Sequence, residues 1–293
     1  MFSKAYELTS GFTKPVINSV RFSDNSIESS LGSFVILNEE GWIITAGHIL
    51  NSFAGFKNHQ KETSKHNATI KDIQNNPTFL EQQKLKKISQ LKKSFKKQRR
   101  IINHSFWWGA DNLKIEKFHV NFEIDLAIGR LTNLPKGFVK DYPKIINPED
   151  IRLGTSLCKL GYPFYNIRTT WNSKTNGFEL DPKVFPIPRF PLEGMYTRNA
   201  NLGTSKDKKY EKKFIETSSP GLRGQSGGPI FDVSGRIWAI QSRTISLPLG
   251  FSPKLKKGNK ETIEHQFINV GLGVHTEIIV QFLKEFGVNF EMS

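Results

Sequence analysis

The chain has 293 residues, 37% of them apolar and 12% aromatic with 23 Phe, which is enough for a sizeable core and excludes both a disordered chain and a long multidomain assembly. Its single cysteine, Cys158, excludes an intrachain disulfide, a multi-cysteine zinc site and an iron–sulfur cluster, and points to a reducing compartment. Lys and Arg outnumber Asp and Glu by 42 to 27, a formal charge of +15 that permits anionic partners without requiring them. The N-terminus lacks the continuous apolar stretch of a signal peptide, and nowhere do enough apolar residues run together to span a membrane. A soluble, cytoplasmic protein without a transmembrane segment is expected.

In chain order, Gly32–Leu37 and Trp42–Ala46 are rich in β-branched and aromatic residues and flank Asn38-Glu-Glu-Gly41, which predicts a β-hairpin. Its second arm runs into Thr45-Ala-Gly-His48, so a histidine stands at a strand end. From Lys57 to Arg100, 13 basic residues face three acidic ones, Glu62, Asp72 and Glu81, and this segment holds most of the positive excess. Within it, Thr78 and Glu81 have the spacing of a capping box behind Pro77. Leu80, Leu85, Ile88, Leu91, Phe95 and Ile102 recur mostly at helical spacing, predicting one basic amphipathic helix from 78 to about 102. Such a helix suits docking on nucleic acid, a membrane or a partner groove, and equally suits a solvated face over a small apolar stripe.

Asp125 heads the strand-like run Asp125-Leu-Ala-Ile-Gly129, and another short strand surrounds Leu157. Gly224-Gln-Ser-Gly-Gly-Pro229 sets a serine among glycines before a second hairpin, made of Pro229–Phe231, the turn Asp232-Val-Ser-Gly235 and Arg236–Ile240. Glycines let the backbone turn sharply, exposing the hydroxyl and freeing the Gly224 and Ser226 N–H groups to converge on an oxyanion, although a plain Gly-rich turn has the same composition. Near the end, Ile278, Ile279, Phe282, Leu283 and Phe286 share one helical face, with Thr276 as N-cap and Gly287 as the stop. Taken singly, His48 reads as a hydrogen-bonded structural histidine and Asp125 as a turn carboxylate.

Together, and in the order His48, Asp125, Ser226, these motifs resemble those of the chymotrypsin-like (trypsin-fold) serine peptidases. Subtilisin-type enzymes and α/β-hydrolases place the three residues in other orders. The resemblance runs from about Gly32 to the C-terminal helix and is nearest to disulfide-free bacterial HtrA-like and glutamyl-endopeptidase-like members. Phe34–Leu50 resembles the strands leading to the catalytic histidine, and Arg152–Phe164 the opening of the second barrel. Phe214–Thr217 resembles the strand before the nucleophile loop, and Gly273–Thr276 the base of the primary specificity pocket. The implied fold is all-β: two six-stranded antiparallel barrels and a C-terminal helix. Residues 1–145 would form the first barrel, with His48, Asp125 and a basic helical insert at 57–104, and residues 146–293 the second, with Ser226. No PDZ domain is expected to follow. Gln225 stands where many relatives carry an aspartate that pairs with a newly cut N-terminus, so that activation route is not expected.

The implied activity is endopeptidase hydrolysis of a protein or peptide substrate, with Ser226 as nucleophile, His48 as general base and Asp125 orienting it. Gly224 and Ser226 would supply the oxyanion hole, without metal or cofactor. The resemblance also implies a pocket lined by Pro220, Gly221, Gln241, Thr244, Gly273 and His275. Pro220 occupies the position that carries an acid in trypsin-type enzymes, so a basic P1 residue would meet no countercharge. His275, and more weakly Arg243, would favour an acidic one. The insert is the expected contact for a regulatory protein or nucleic acid. Two other readings stay open: a nucleic-acid- or membrane-binding module on a protease-like scaffold, and a triad held inactive until a partner arrives.

Overall fold

The computed structural model describes residues 1–96, 98–257 and 260–293. Helix α1 (Ser3–Phe12) leads into β1 (Thr13–Phe22), β2 (Ile27–Ile36) and β3 (Trp42–Ala46). β2 and β3 form the expected hairpin, closed by a bond from the Leu37 N–H to Trp42 O at 2.7 Å and turned at Gly41, whose φ of +82° suits a residue without Cβ. The chain continues through α2 (Asn51–Asn75), α3 (Glu81–Lys96), β4 (Ile101–Trp108), β5 (Lys114–Asn121) and β6 (Leu126–Thr132). The six strands form one antiparallel sheet in the order β4-β1-β2-β3-β6-β5, with Phe34, Ile36, Ile43, Ile44, Leu126 and Ile128 buried inside it. Among the described residues no pairing joins β4 to β5. The first turns of α2 cover that seam, Phe53 lying edge-on to His104 and Phe118 and Phe56 edge-on to His104.

The basic segment departs from the expected single helix. Helix α2 was not anticipated: beyond Phe56 its apolar residues are sparse, and Ser52 is its buried residue, so it carries no clear apolar stripe. Helix α3 starts at Glu81, because Thr78 bonds instead to Asn76 Oδ1 and Gln83 Oε1 accepts the Leu80 N–H at 3.2 Å. It ends at Lys96; Lys97 lies outside the described residues, and Ile102 belongs to barrel strand β4. Phe95 packs on His66 with ring centroids 4.1 Å apart, holding α3 to α2.

The second sheet takes β7 (Lys144–Ile145), β8 (Ser156–Gly161), β11 (Phe190–Thr204), β12 (Glu211–Thr217), β13 (Pro229–Phe231), β14 (Ile237–Pro248), β17 (Phe267–His275) and β18 (Glu291–Met292). Between them, β9 (Thr169–Asn172) with β10 (Gly177–Leu180), and β15 (Lys254–Lys257) with β16 (Lys260–Ile263), form two separate ribbons. Strand β13 pairs with both β8 and β14, closing the ring β13-β8-β11-β12-β17-β14, while β7 and β18 extend it in parallel. The architecture is therefore two six-stranded antiparallel sheets, the second closed into a barrel. In the β13–β14 turn, Asp232 accepts from the Ser234 N–H (2.9 Å), Arg236 Nε (2.7 Å) and Trp238 Nε1 (2.9 Å).

Helix α4 (Thr276–Glu285) buries Ile278, Ile279, Phe282 and Leu283 as expected. Its N-cap is His275, not Thr276: His275 Nδ1 accepts the Glu277 N–H at 3.1 Å, while Thr276 Oγ1 donates to Ile146 O at 2.9 Å. Among the described residues no helix is long and apolar enough to cross a membrane.

Candidate active site

Strand β3 ends at Ala46, and a single tight turn, Gly47–Leu50, carries His48 out of the barrel. Gly47 permits this, because a Cβ there would lie 3.2 Å from Asn121 O and from the Leu126 N and O atoms. The close approach sets His48 beside Asp125, which enters β6 with φ +56°. Asp125 Oδ1 accepts the His48 N–H at 2.8 Å, and both carboxylate oxygens lie 3.0 Å from His48 Nδ1. Ser242 Oγ donates to Asp125 Oδ2 at 2.5 Å. Burial, with Asp125 only 4% exposed, would push its pKa up, but the bond and charge of His48 and the bond from Ser242 outweigh it and hold the carboxyl below its usual range. An ionised carboxylate only accepts, so the proton sits on His48 Nδ1 and Nε2 is the basic nitrogen.

The serine arrives from the second barrel. Residues 222–225 form a turn closed by the Gln225 N–H to Leu222 O bond (2.9 Å), and Gly224 at its third position has the positive φ, +99°, that a type II turn needs. Gly224 O accepts from the Tyr162 N–H (3.0 Å) and Ser33 Oγ (2.7 Å), and Ser226 O from the Ser33 N–H (2.8 Å). At Gly227, with φ +82°, a Cβ would stand 2.1 Å from both Ser33 O and Thr45 Oγ1. The glycines thus let the loop wedge between the barrels, against β2 and β3 on one side and the end of β8 on the other. Fully buried Gln225 braces it from within, its Oε1 accepting the Leu222 N–H at 3.0 Å.

Ser226 and His48 face one cleft of about 720 Å³, with Leu31, Tyr162, Phe164 and Leu222 among its other walls. Ser226 Oγ donates to Ser242 O at 3.4 Å, and no hydrogen bond joins it to His48 among the described residues. Likewise, neither the Gly224 N–H nor the Ser226 N–H has a protein acceptor among the described residues, as a pair of oxyanion donors requires. A second cleft of about 450 Å³, lined by His48, Asn51, Phe122, Asp125, Ser242 and Arg243, opens on the other side of His48. No cluster of candidate metal ligands occurs among the described residues.

Of the six residues expected to line the specificity pocket, four gather beside the Ser226 loop. Pro220 and Gly221 precede it, and Thr244 Oγ1 ties itself to Gly221, accepting its N–H (2.8 Å) and donating to its O (2.6 Å). The Gln241 side chain fills the space against Gly221, where a Cβ would meet its Nε2 at 2.1 Å. Gly273 pairs with Gln241 across β14–β17, but a Cβ there would strike Ile230 in the barrel interior. His275 is a correction: only 3% exposed, it spends Nδ1 on capping α4, and burial, helped by Lys213, lowers its pKa to about 4 and keeps it neutral. It provides no charge for an acidic P1 residue. Two residues escaped notice. Lys159 stands in the sequence only as a charged side chain between Cys158 and Leu160, and Ser242 only as one member of the polar run Gln241–Thr244.

A family model described as a trypsin-like peptidase domain matches residues 32–240, a span that includes His48, Asp125 and Ser226. The chain belongs to the trypsin-like peptidase family. No curated protein matches it in sequence. Among solved structures, the trypsin-like chain is similar to the active form of the Rv3671c protease from M. tuberculosis, with a TM-score of 0.51 and 11% identity over 99% of this chain and 86% of that one. It is also similar to a variant of the HtrA-type protease AlgW with a decapeptide, with a TM-score of 0.51 and 13% identity over 98% of this chain and 68% of that one. The chain spans 63% of the length of the AlgW variant solved with a tripeptide. At these identities the likeness concerns the fold.

Proposed function

We propose that this chain is a serine endopeptidase that hydrolyses peptide bonds through Ser226, His48 and Asp125. The carrying observation is the buried Asp125 carboxylate, which holds His48 in the Nδ1–H tautomer at the mouth of the cleft that Ser226 also lines. A serine hydroxyl is a weak nucleophile until a base takes its proton. His48 Nε2 accepts the Ser226 Oγ proton as Oγ bonds to the scissile carbonyl carbon, whose electron pair moves to oxygen between the Gly224 and Ser226 N–H groups. Each such donor contributes about 3 kcal/mol in well-studied enzymes. The imidazolium then protonates the leaving amine, and a water, deprotonated by the same imidazole, releases the acyl group from Ser226.

The rest geometry also favours latency, since Ser226 Oγ is bonded to Ser242 O and the Thr244 hydroxyl ties off the wall at Gly221. Substrate or a partner would turn the serine toward His48. A reducing, cytoplasmic setting agrees with the lone, buried thiol of Cys158. The basic helix α3, which has no buried residue, is the proposed docking face for an acidic partner. Fluorophosphonate labelling with Ser226→Ala as control tests the reading. Stoichiometric labelling of the wild type and none of the variant is expected, and labelling unaffected by the substitution refutes the assignment.

A further inference from the structure

Strand β8 carries a charged side chain into the interior. Lys159 is 1% exposed, paired with Leu192 of β11 on one side and Ile230 of β13 on the other. Its Nζ leaves the strand toward the segment joining β12 to the nucleophile loop, donating to Ser219 O, to Ser219 Oγ at 2.8 Å and to Pro220 O at 3.0 Å. An ammonium has three N–H donors, and this set uses all of them. Gly271 of β17 leaves room on the far side, where a Cβ would lie 2.7 Å from Nζ, and its own N–H also bonds Ser219 O at 2.9 Å.

Among the described residues no carboxylate compensates the charge. Glu193 of β11 is bonded by Ser156, and Glu216 of β12 is held by Arg198 and Thr197. Neither β13 nor residues 218–222 carry an ionisable group, and His275 of β17 caps α4. The neighbouring Cys158 thiol, pushed up to about 11 mainly by burial, stays neutral. A buried cation held only by neutral oxygens is costly, and such a group next to reactive machinery points to a role there.

The three oxygens belong to the wall that runs directly into the turn carrying Gly224 and on to Ser226. We propose that Lys159 is a positioning residue for peptide hydrolysis: its ammonium grips Ser219 and Pro220 from beneath and fixes the wall that presents the oxyanion donors and receives the substrate. The inference rests on the peptidase reading above. Loss of a proton leaves two N–H donors for the Ser219 and Pro220 carbonyls and a lone pair that accepts from the Ser219 hydroxyl, so three charge-assisted bonds become weaker neutral ones and the wall slackens. Burial lowers the Lys159 pKa to about 7, which places this change in the neutral range. The alkaline side of the activity profile then belongs to Lys159.

The experiment is kcat/KM on a neutral peptide from pH 5 to 10, with fluorophosphonate titration of Ser226 at each pH. In the wild type, kcat/KM should fall about tenfold per pH unit above a midpoint near neutrality until it meets the level of Lys159→Met, as for a single proton. Lys159→Met should be slow at pH 6.5 and flat to pH 9. Ser219→Ala removes an acceptor that favours the charged amine, so its alkaline midpoint should move to lower pH. A wild-type profile flat between pH 7 and 9, or an alkaline limb retained by Lys159→Met, overturns the proposal. Should that variant not fold, the wild-type limb and its displacement in Ser219→Ala decide. Absence of labelling at every pH would instead overturn the peptidase reading.

Discussion

Replacing Ser242 with Ala removes one of the two side chains that hold the Asp125 carboxylate, while leaving His48, Asp125 and Ser226 in place. The bond is short, 2.5 Å, between residues that are 3% and 4% exposed. A hydrogen bond to a buried charged group contributes about 1.5–3 kcal/mol. At 1.4 kcal/mol per factor of ten, kcat should fall roughly 10- to 100-fold. KM should change little, because the hydroxyl faces Asp125 and the Ser242 carbonyl survives. Some activity should persist, since Asp125 keeps its contacts with the His48 N–H and Nδ1. Stability gives an independent reading. The Asp125 pKa is depressed in the folded protein, so its contribution is present above the unfolded carboxylate pKa and lost as pH falls through the folded one. Without Ser242 the folded pKa rises, and the variant should be less stable at pH 7 by about 1–3 kcal/mol, with the deficit shrinking in acid. Initial rates at pH 7 and urea unfolding from pH 3 to 7 measure both. A kcat within twofold of wild type, or a stability deficit independent of pH, would refute the argument.

Gly227→Ala should destabilise the fold by on the order of 3 kcal/mol and abolish turnover, because the new methyl meets Ser33 O and Thr45 Oγ1 at 2.1 Å on a backbone with φ +82°; urea midpoints and initial rates check this. His275→Ala should cost about 1 kcal/mol through loss of the α4 cap and leave the P1 profile unchanged, whereas an altered profile in a peptide library would return His275 to the pocket. The wild-type profile should be led by small P1 residues, since Thr244 and Gln241 occupy the space at Gly221. Thr244→Gly should admit larger ones, and a profile led by Arg or Lys would refute this reading. Exchanging Lys92, Lys93 and Lys96 for Gln should leave small-peptide turnover intact. It should reduce the salt slope of duplex binding by about 0.9 for each phosphate no longer neutralised, and unchanged binding would leave α3 without a docking role.

The parts of this molecule legible in its sequence are those fixed by local backbone demands. Both hairpins announce themselves through β-branched arms and turns at Gly41 and Gly235, and the Ser226 loop through glycines that have no room for a Cβ. Helix α1 was invisible because its reason is tertiary: Ala5, Thr9 and Phe12 are buried against other elements, while its N-cap, Phe2, makes no side-chain capping bond. The same distinction explains the site. Asp125 read alone as a turn carboxylate, and its φ of +56° agrees with that conformation, yet its chemistry comes from partners 77 and 117 positions away. Lys159 bonds a segment 60 positions on, and no spacing rule connects them. Short motifs can therefore name a candidate nucleophile and base. On the proposed reading, what tunes them is the closure of the second barrel, which brings the buried Lys159 ammonium beneath the wall before Ser226 and the Ser242 hydroxyl onto the Asp125 carboxylate; the same contacts would determine at what pH, and on which side chains, the site works.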